Sequence, residues 1–340
     1  KVHLRLDAGL EKGKGLFASR FWPQGEVVFE DTPIGAMQHS YNREEAPACE
    51  RCLKRLDLAA GTRCRGGGDA LYCSRECERL AWAAYQHLLC AGAGGGSEAA
   101  AAIAAFYEHA DATNDIFRLA AKVYCLLLSS VLGGPFEGGS SSSASANVDV
   151  SCIRYAWKKP WWLSVAVPED VSDEKAFRGQ LLELTQDSFQ LLKNALEGAV
   201  AERLGALAAR PGTPVAASMD ALFDLELYGS LVGMFELNNL GIDLPPPGEG
   251  EGEEGSSSGD DDDEDGEDEG SSGQHVEGTG FYPLHSSMNH SCDPNVLVLF
   301  LPPEDEQEAG DGCDGADDEP LNLSSRVYVY ALRDIEAGEE

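Results

Sequence analysis

Hydrophobic and polar positions divide the chain into two β-type ends and a helical middle. Alternation over 2–6 and short apolar runs at 16–18 and 26–29, separated by glycine turns, predict three strands near the start. Apolar runs at 296–301 and 326–332 predict two strands near the other end. A sheet built from these strands must close by bringing distant parts of the chain together.

Helical periodicity dominates the residues between these strands. Apolar positions three and four apart predict helices over 74–89, 98–132, 174–209 and 218–237. Residues 138–146 have the composition of a Gly/Ser linker, and the stretch from Pro245 to Gly273 is acidic and rich in Gly and Ser. Such segments bury too little apolar surface to fold, so we interpret them as insertions.

The net charge of −34 arises from 59 Asp and Glu against 25 Lys and Arg. Residues 249–269 hold thirteen of the acids and 304–319 hold nine, with no Lys or Arg in either segment. Removing these 22 acids leaves 37 against 25 basic residues, an ordinary balance for a soluble domain. We interpret the two segments as solvated insertions; recruitment of basic partners such as histone tails is the alternative.

The same counts exclude some classes of function. An acidic chain whose basic clusters are as small as 158–159 is not expected to bind nucleic acid directly. No apolar run approaches the ~20 residues that a membrane helix needs, and no signal peptide opens the chain. We therefore expect neither a membrane protein nor a secreted one.

Six of the ten cysteines fall within one block, 49–90, together with a histidine. Zinc prefers four tetrahedral ligands, and two closely spaced cysteine pairs supply a complete set. The predicted first site consists of Cys49, Cys52, Cys73 and Cys77. The remaining candidates for a second site are only three, Cys64, His87 and Cys90. Buried, inert thiols are the alternative, but Arg, Lys, Glu and Gly lie between these cysteines.

The spacing of this block, with the segment 72–77 and its closing His and Cys, resembles a MYND-type zinc finger. The resemblance implies two interleaved sites, in which the first and third ligand pairs hold one ion and the second and fourth pairs hold the other. Gly67 stands where that family has its eighth ligand, and Gln86 occupies the usual position of the histidine. The second site is therefore either completed from elsewhere in the chain or degenerate.

The segment from Gly278 to Asn295 contains the most informative motif, Asn289-His290-Ser291-Cys292. When no resemblance to a known family is considered, this segment is interpreted as a polar turn before a strand. A nucleophilic His290/Cys292 pair is a poor alternative, because we expect the two side chains to point to opposite faces.

The Asn-His-Ser-Cys motif resembles that of SET-domain lysine methyltransferases. Its flanks, Phe-Tyr-Pro and Asp-Pro-Asn, and the later run 331–340 resemble the SET-and-MYND family in particular. The Gly-x-Gly at 13–15 and the Asn-Asn-Leu-Gly-Ile at 238–242 match further motifs of that family in the right order. The expected fold is α+β, a β-rich SET fold interrupted by an inserted MYND zinc finger and a helical insert.

This resemblance implies a cofactor and the residues that contact it. The cofactor is S-adenosylmethionine, which presents an amino-acid zwitterion and an adenine edge. Glycines allow close backbone approach, and asparagine supplies paired donors and acceptors. The residues carried over by position are Lys12, Lys14, Gly15, Asn238, Ser286, Asn289 and His290. A solvated turn is the alternative for the two lysines.

Methyl transfer to lysine is an in-line displacement, so alignment of donor and acceptor carries much of the catalysis. In the family a tyrosine-lined channel desolvates the amine, whose ordinary pKa near 10.4 keeps it protonated. The resemblance places that tyrosine beyond Glu340, together with three cysteines that would join Cys292 in a third zinc site. We therefore expect the chain to be a fragment that is inactive by itself.

Five segments follow from these patterns. They are an N-terminal SET part over 1–48, the finger over 49–90, a helical insert over 91–243, an acidic linker over 244–273, and a C-terminal SET part over 274–340 with the acidic loop 304–319. The predicted function is S-adenosylmethionine-dependent methylation of lysine in histone or other proteins, located in the nucleus, the cytoplasm or both. The alternative is a non-catalytic adaptor whose finger binds proline-rich peptides.

Overall fold

The computed structural model describes eight parts of the chain. They are residues 1–9, 13–90, 97–132, 149–156, 159–209, 218–246, 274–300 and 324–340. Both acidic segments and the Gly/Ser linker predicted from the sequence lie outside the described residues, so their predicted state stays a prediction.

The two ends of the chain form one β-structure, as the strand pattern predicts. Strands β1 (Val2–Arg5) and β2 (Gly15–Ala18) pair as an antiparallel hairpin. Strand β3 (Val27–Asp31) pairs antiparallel with β10 (Val327–Ala331), and β10 pairs on its other side with β9 (Val296–Leu299). Residues nearly 300 positions apart in the sequence are therefore neighbours in this sheet.

A second sheet has the order β4 (Gly35–Gln38), β8 (Val276–Phe281) and β7 (Asn239–Leu244). The sequence pattern predicts neither β4 nor the start of β8, and it assigns most of β7 to the helical insert. The reason lies in the glycines of β8. A Cβ atom at Gly278 would lie 2.3 Å from the carbonyl oxygen of Met37, so close strand packing replaces the usual apolar alternation.

The Cys-rich block contains a small hairpin and short helices. The hairpin pairs β5 (Thr62–Arg63) with β6 (Leu71–Tyr72). The predicted helix over 74–89 forms as α1 (Arg75–Ala81) and α2 (His87–Leu89), joined by one wide π-helical turn. Ser74 begins α1 by accepting a hydrogen bond from the backbone N–H of Cys77, at 3.1 Å.

The helical insert packs around a large apolar core. Its helices are α3 (Ser97–Thr113), α4 (Ile116–Leu132), α5 (Trp161–Ser164), α6 (Glu174–Ala208), α7 (Met219–Leu222) and α8 (Leu225–Asn238). The pattern predicts one helix where α3 and α4 form, and one where α7 and α8 form. Each break falls at an Asn or Asp, Asn114 and Asp224, whose side chain accepts a hydrogen bond from the start of the next helix. None of the described helices is long and apolar enough to cross a membrane.

A buried lysine joins the three main parts of the molecule. Lys122 on α4 is 4% exposed, and its ammonium donates to the carbonyl oxygens of Ala36 at 2.6 Å and Glu50 at 2.9 Å. It also pairs with the Glu50 carboxylate at 2.9 Å. Burial would raise the pKa of Glu50, but the nearby charges, Lys122 foremost, outweigh burial and hold that pKa below its ordinary value.

Asp31, at the end of β3, holds the turn that leads to the Asn-His-Ser-Cys segment. Its carboxylate accepts hydrogen bonds from the backbone N–H groups of Leu284 at 2.7 Å and His285 at 2.9 Å. The side chain is buried, and burial raises its pKa to about 6 against the opposing effect of these hydrogen bonds. The turn therefore depends on a carboxyl group that is costly to ionise.

Replacing Lys122 with Met should lower the free energy of unfolding by about 3 kcal/mol, because the carboxylate of Glu50 loses its partner in a largely buried setting. Urea unfolding measures the loss, and the exposed Lys175→Met provides the matched control. The double variant Glu50→Gln/Lys122→Met should recover part of the stability. A loss no larger than that of Lys175→Met would contradict the linking role of Lys122.

Asp31→Asn should change how stability depends on pH. The folded-state pKa of Asp31 is raised from 3.8 to about 6, so its favourable contribution is complete below pH 3.8 and is lost as pH rises through 6. Asn keeps an acceptor oxygen but does not titrate. Relative to Asp31→Asn, the wild-type chain should lose on the order of 2–3 kcal/mol between pH 3.5 and pH 7. Equal pH profiles of the two unfolding free energies would refute this.

Candidate functional site

A cleft of about 260 Å³ lies where the two ends of the chain meet. One wall is apolar and the other carries amides and charges, which suits a ligand with both kinds of surface. The apolar lining includes Leu16, Val28, Phe29, Val296 and Ile335, and the polar lining includes Asn289, His290, Asn295, Arg333, Glu339 and Glu340.

Gly15 adjoins Asn289 at the edge of this lining. The amide of Asn289 donates to the carbonyl oxygen of Lys14 at 2.9 Å and to the Glu340 carboxylate at 2.5 Å. A Cβ atom on Gly15 would lie 2.7 Å from that carboxylate and 3.1 Å from the amide of Asn289. A larger residue at position 15 would therefore have to displace these two side chains.

Lys14, whose carbonyl oxygen is bonded by the cleft residue Asn289, carries an unsatisfied charge. Its Nζ atom is buried and has no hydrogen-bond partner among the described residues, and burial lowers the pKa of its ammonium. A buried cation without an acceptor favours an anionic ligand group. This matches the carboxylate of the predicted cofactor, and the apolar wall suits its adenine. Lys12, the other predicted lysine, lies outside the described residues.

Two of the predicted contact residues have other partners in the structure. Asn238, the last residue of α8, donates to the carbonyl oxygen of Met234 at 2.8 Å. Ser286 donates to the carbonyl oxygen of Pro283 at 3.1 Å. Neither residue lines the cleft. Of the predicted contact residues that the structure describes, Asn289 and His290 line it, and Lys14 and Gly15 adjoin Asn289 without lining the cleft themselves.

The predicted geometry of the His290 and Cys292 side chains is wrong. Their Nε2 and Sγ atoms lie 3.4 Å apart, on the same side of the chain. Residues two apart already share a face in an extended segment, and the bends at residues 292, 293 and 295, with the hydrogen bonds between Ser291 and Asp293, keep these two side chains together. The two side chains can therefore act together.

The end of the C-terminal segment is a part of the site that the sequence motifs leave without a role. The amide of Asn295 donates to the backbone oxygen of Glu340 at 2.8 Å, and Arg333 pairs with Glu339 at 2.6 Å. Glu340 is thereby held between Asn289 and Asn295. The Gly-Glu-Glu motif signals this segment in the sequence, but nothing local indicates which side chains it meets.

The Cys-rich block assembles the predicted first metal site. The four Sγ atoms of Cys49, Cys52, Cys73 and Cys77 all lie within 4.8 Å of one another. Sγ of Cys73 is 3.6 Å from that of Cys52 and 3.4 Å from that of Cys77. Four sulfurs at about 2.3 Å from one zinc ion would be about 3.8 Å apart, so the donor set and spacing fit tetrahedral zinc.

The turn that carries the first two of these cysteines is anchored to residues beside β8 and β10. The carbonyl oxygen of Cys52 accepts a hydrogen bond from Ser325, and the carbonyl oxygen of Ser325 in turn accepts one from the hydroxyl of Tyr282. Leu53 adopts a left-handed φ of 60°, an uncommon conformation for leucine, and its side chain is fully buried. The metal turn is therefore part of the same core as β8.

The predicted second metal site is not assembled in the described residues. Sγ of Cys64 and Sγ of Cys90 lie 3.4 Å apart, but no third ligand atom there lies within 4.8 Å of both. Nδ1 of His87 contacts the carbonyl oxygen of Trp82 at 2.7 Å, and Nε2 is buried without a partner among the described residues. Burial, followed by the charge of Arg203, lowers the pKa of His87 to about 4.

Comparison with known proteins agrees with this architecture. Histone-lysine N-methyltransferase ATXR2 of Arabidopsis thaliana is 34% identical over 307 residues, which cover 84% of this chain and 57% of that protein. Protein-lysine N-trimethyltransferase SMYD5 is 24% identical in Gallus gallus and 23% in Mus musculus, over 97% of this chain and 75% or 76% of those proteins. The chain thus spans little more than half of its plant relative.

The model of the SET domain family matches residues 13–340, which include both chain ends, the Cys-rich block and the helical insert. Methyltransferases of this family use S-adenosylmethionine, the cofactor for which the cleft offers complementary groups. The chain belongs to the SET domain family.

Proposed function

We propose that the protein containing this chain transfers methyl groups from S-adenosylmethionine to lysine side chains of protein substrates. The observation that carries the proposal is the cleft lined by Asn289, whose amide bonds the carbonyl oxygen of Lys14 and approaches Gly15 from the other end of the chain. Among the described residues the buried ammonium of Lys14 has no partner, and a bound anionic group would supply one. The names of the relatives, histone-lysine and protein-lysine methyltransferases, support the same substrate class.

The cofactor supplies an electrophilic methyl group on a sulfonium. The residues of this chain contribute binding and orientation. Lys14 offers its ammonium to a carboxylate, and the close approach at Gly15 leaves backbone groups within reach of the ligand. Asn289 fixes the two chain ends against each other, so that the bound cofactor has one orientation. Catalysis by alignment requires that this arrangement be rigid before the substrate arrives.

The acceptor lysine must lose its proton before it can attack, since its ordinary pKa keeps it charged. We propose that the tyrosine which the family resemblance places beyond Glu340 completes a channel that desolvates this amine. The substrate lysine and the number of methyl groups depend on that channel. Histone and non-histone proteins are both proposed as substrates, and nucleus and cytoplasm as locations.

Methyl transfer by the protein extended beyond Glu340 tests this function. Incubation with tritiated S-adenosylmethionine and core histones or a lysine-rich non-histone protein should label the substrate, and mass spectrometry should locate the methyl groups on lysine. Asn289→Ala should reduce kcat/KM for the cofactor about ten- to a hundredfold, since two hydrogen bonds between the chain ends are lost. Asn194→Ala, an exposed helical position, should leave kcat/KM unchanged. Labelling of the substrate that is equal in wild type and Asn289→Ala would contradict the assigned site.

We propose further that Cys49, Cys52, Cys73 and Cys77 hold one structural zinc ion. The support is the spacing of their sulfurs and the absence of any other complete set of ligands among the described residues. Metal analysis should find that Cys77→Ser loses one zinc per chain and unfolds at lower urea concentration, because structural zinc stabilises the fold directly. The half-buried Cys152→Ser serves as the control. Unchanged zinc content in Cys77→Ser would refute this site.

The binding of proline-rich peptides by the finger is a second proposed function, independent of methyl transfer. Its support is a groove of about 650 Å³ between the Cys-rich block and α3. Leu71, Leu89, Ile103 and Tyr107 contribute apolar surface to this groove. Titration of the wild-type chain and of Ile103→Glu with a proline-rich peptide tests this function. We expect the variant to bind more weakly, and unchanged binding would exclude the groove as the peptide site.

A further inference from the structure

A second pair of buried sulfurs lies in the Cys-rich block, outside the four-cysteine cluster. Cys64 follows β5, Cys90 follows α2, and their side chains are 4% and 6% exposed. Their Sγ atoms are 3.4 Å apart. Buried thiols placed this close to each other belong either to a metal site or to a dithiol that can be oxidised.

The metal alternative lacks ligands. No third histidine, cysteine or carboxylate ligand atom of the described residues lies within 4.8 Å of both sulfurs. The carboxylate of Glu78 already accepts hydrogen bonds of 2.7–3.0 Å from the side chain of Arg65, the residue after Cys64. Two thiolates alone do not make the four-coordinate site that structural zinc requires.

The backbone around Cys90 holds its sulfur against Cys64. A Cβ atom on Gly66 would lie only 2.5 Å from Sγ of Cys90, and one on Gly68 would lie 3.1 Å away. Gly67 between them has a φ of 80°, and its N–H donates to the carbonyl oxygen of Cys64 at 3.0 Å. This glycine turn therefore wraps the sulfur of Cys90 tightly and fixes the distance between the two thiols.

We propose that Cys64 and Cys90 form a reversible disulfide, with a hydroperoxide as the oxidant. One thiol loses its proton, and the thiolate attacks a peroxide oxygen and breaks the O–O bond. The sulfur becomes a sulfenic acid, and the leaving hydroxide or alkoxide takes up the released proton and departs as water or an alcohol. The second sulfur then attacks the sulfenic sulfur, forming the S–S bond and releasing water. The two sulfurs together lose two electrons, which reduce the peroxide. Rotation of the side chains must shorten the sulfur separation to about 2.05 Å.

The bond would close a loop that contains the metal-binding residues Cys73 and Cys77. It would join the hairpin of β5 and β6 to α2, which contacts α4 and α6. The four-cysteine cluster uses neither Cys64 nor Cys90, so oxidation of the pair leaves that cluster complete. The modification site is independent of methyl transfer, and its test does not require activity.

Peptide mapping tests the disulfide in the zinc-loaded chain. After treatment with hydrogen peroxide at one equivalent, digestion without reductant should yield a fragment that links Cys64 to Cys90, and dithiothreitol should remove the link. Zinc content should stay at one per chain before and after oxidation. The matched control Cys152→Ser should give the same linked fragment, whereas Cys64→Ser should give none.

Two results would overturn the proposal. The first is a chain with two zinc ions, one of which is lost in Cys64→Ser/Cys90→Ser, since the pair would then be a metal site. The second is oxidation of other cysteines at one equivalent of peroxide while Cys64 and Cys90 stay reduced. The mapping of the unmutated chain decides the matter even if the cysteine variants fail to fold.

Discussion

The antiparallel pairing of the two chain ends is the constraint on which the candidate site depends. Strand β3 hydrogen-bonds to β10, and beyond these strands Trp22 pairs with Ile335 and Ala18 with Gly338 and Glu339. Every polar group that lines the cleft comes from one of these two ends. Because the partners are some 300 residues apart, closing them carries a large loop entropy, and only the completed fold brings Gly15 to Asn289.

The inserted segments are tied to this closed sheet and do not hang from it as separate modules. The ammonium of Lys122 connects α4, strand β4 and the first metal-binding turn through hydrogen bonds and one ion pair. The same turn is held to the C-terminal end by Cys52 and Ser325. The four-cysteine turn is therefore bonded to both ends of the chain, through Lys122 to Ala36 in β4 and through Ser325 to the residues before β10.

Sequence patterns predict much of this architecture, and the failures have physical causes. Periodicity and motif order identify the strands at both ends, the long helix α6, the first cysteine cluster and the meeting of Gly15 with Asn289. The pattern does not predict the start of strand β8, because glycines there allow the neighbouring backbone to pack closely and leave no alternation of apolar and polar residues. Contacts between remote parts, such as Lys122 with Glu50 or Asn295 with Glu340, leave no local signal.

Calorimetric titration of the chain with S-adenosylmethionine tests the central claim most directly, because it needs neither substrate nor the residues beyond Glu340. The account predicts saturable binding of one cofactor, weakened at least tenfold by Gly15→Ala, whose Cβ would meet the Glu340 carboxylate and the Asn289 amide. Gly241→Ala, where a Cβ meets nothing within 4 Å, should bind as the wild type does. Equal affinity in both glycine variants, or no binding to the folded chain, would contradict the assignment of this cleft as the cofactor site.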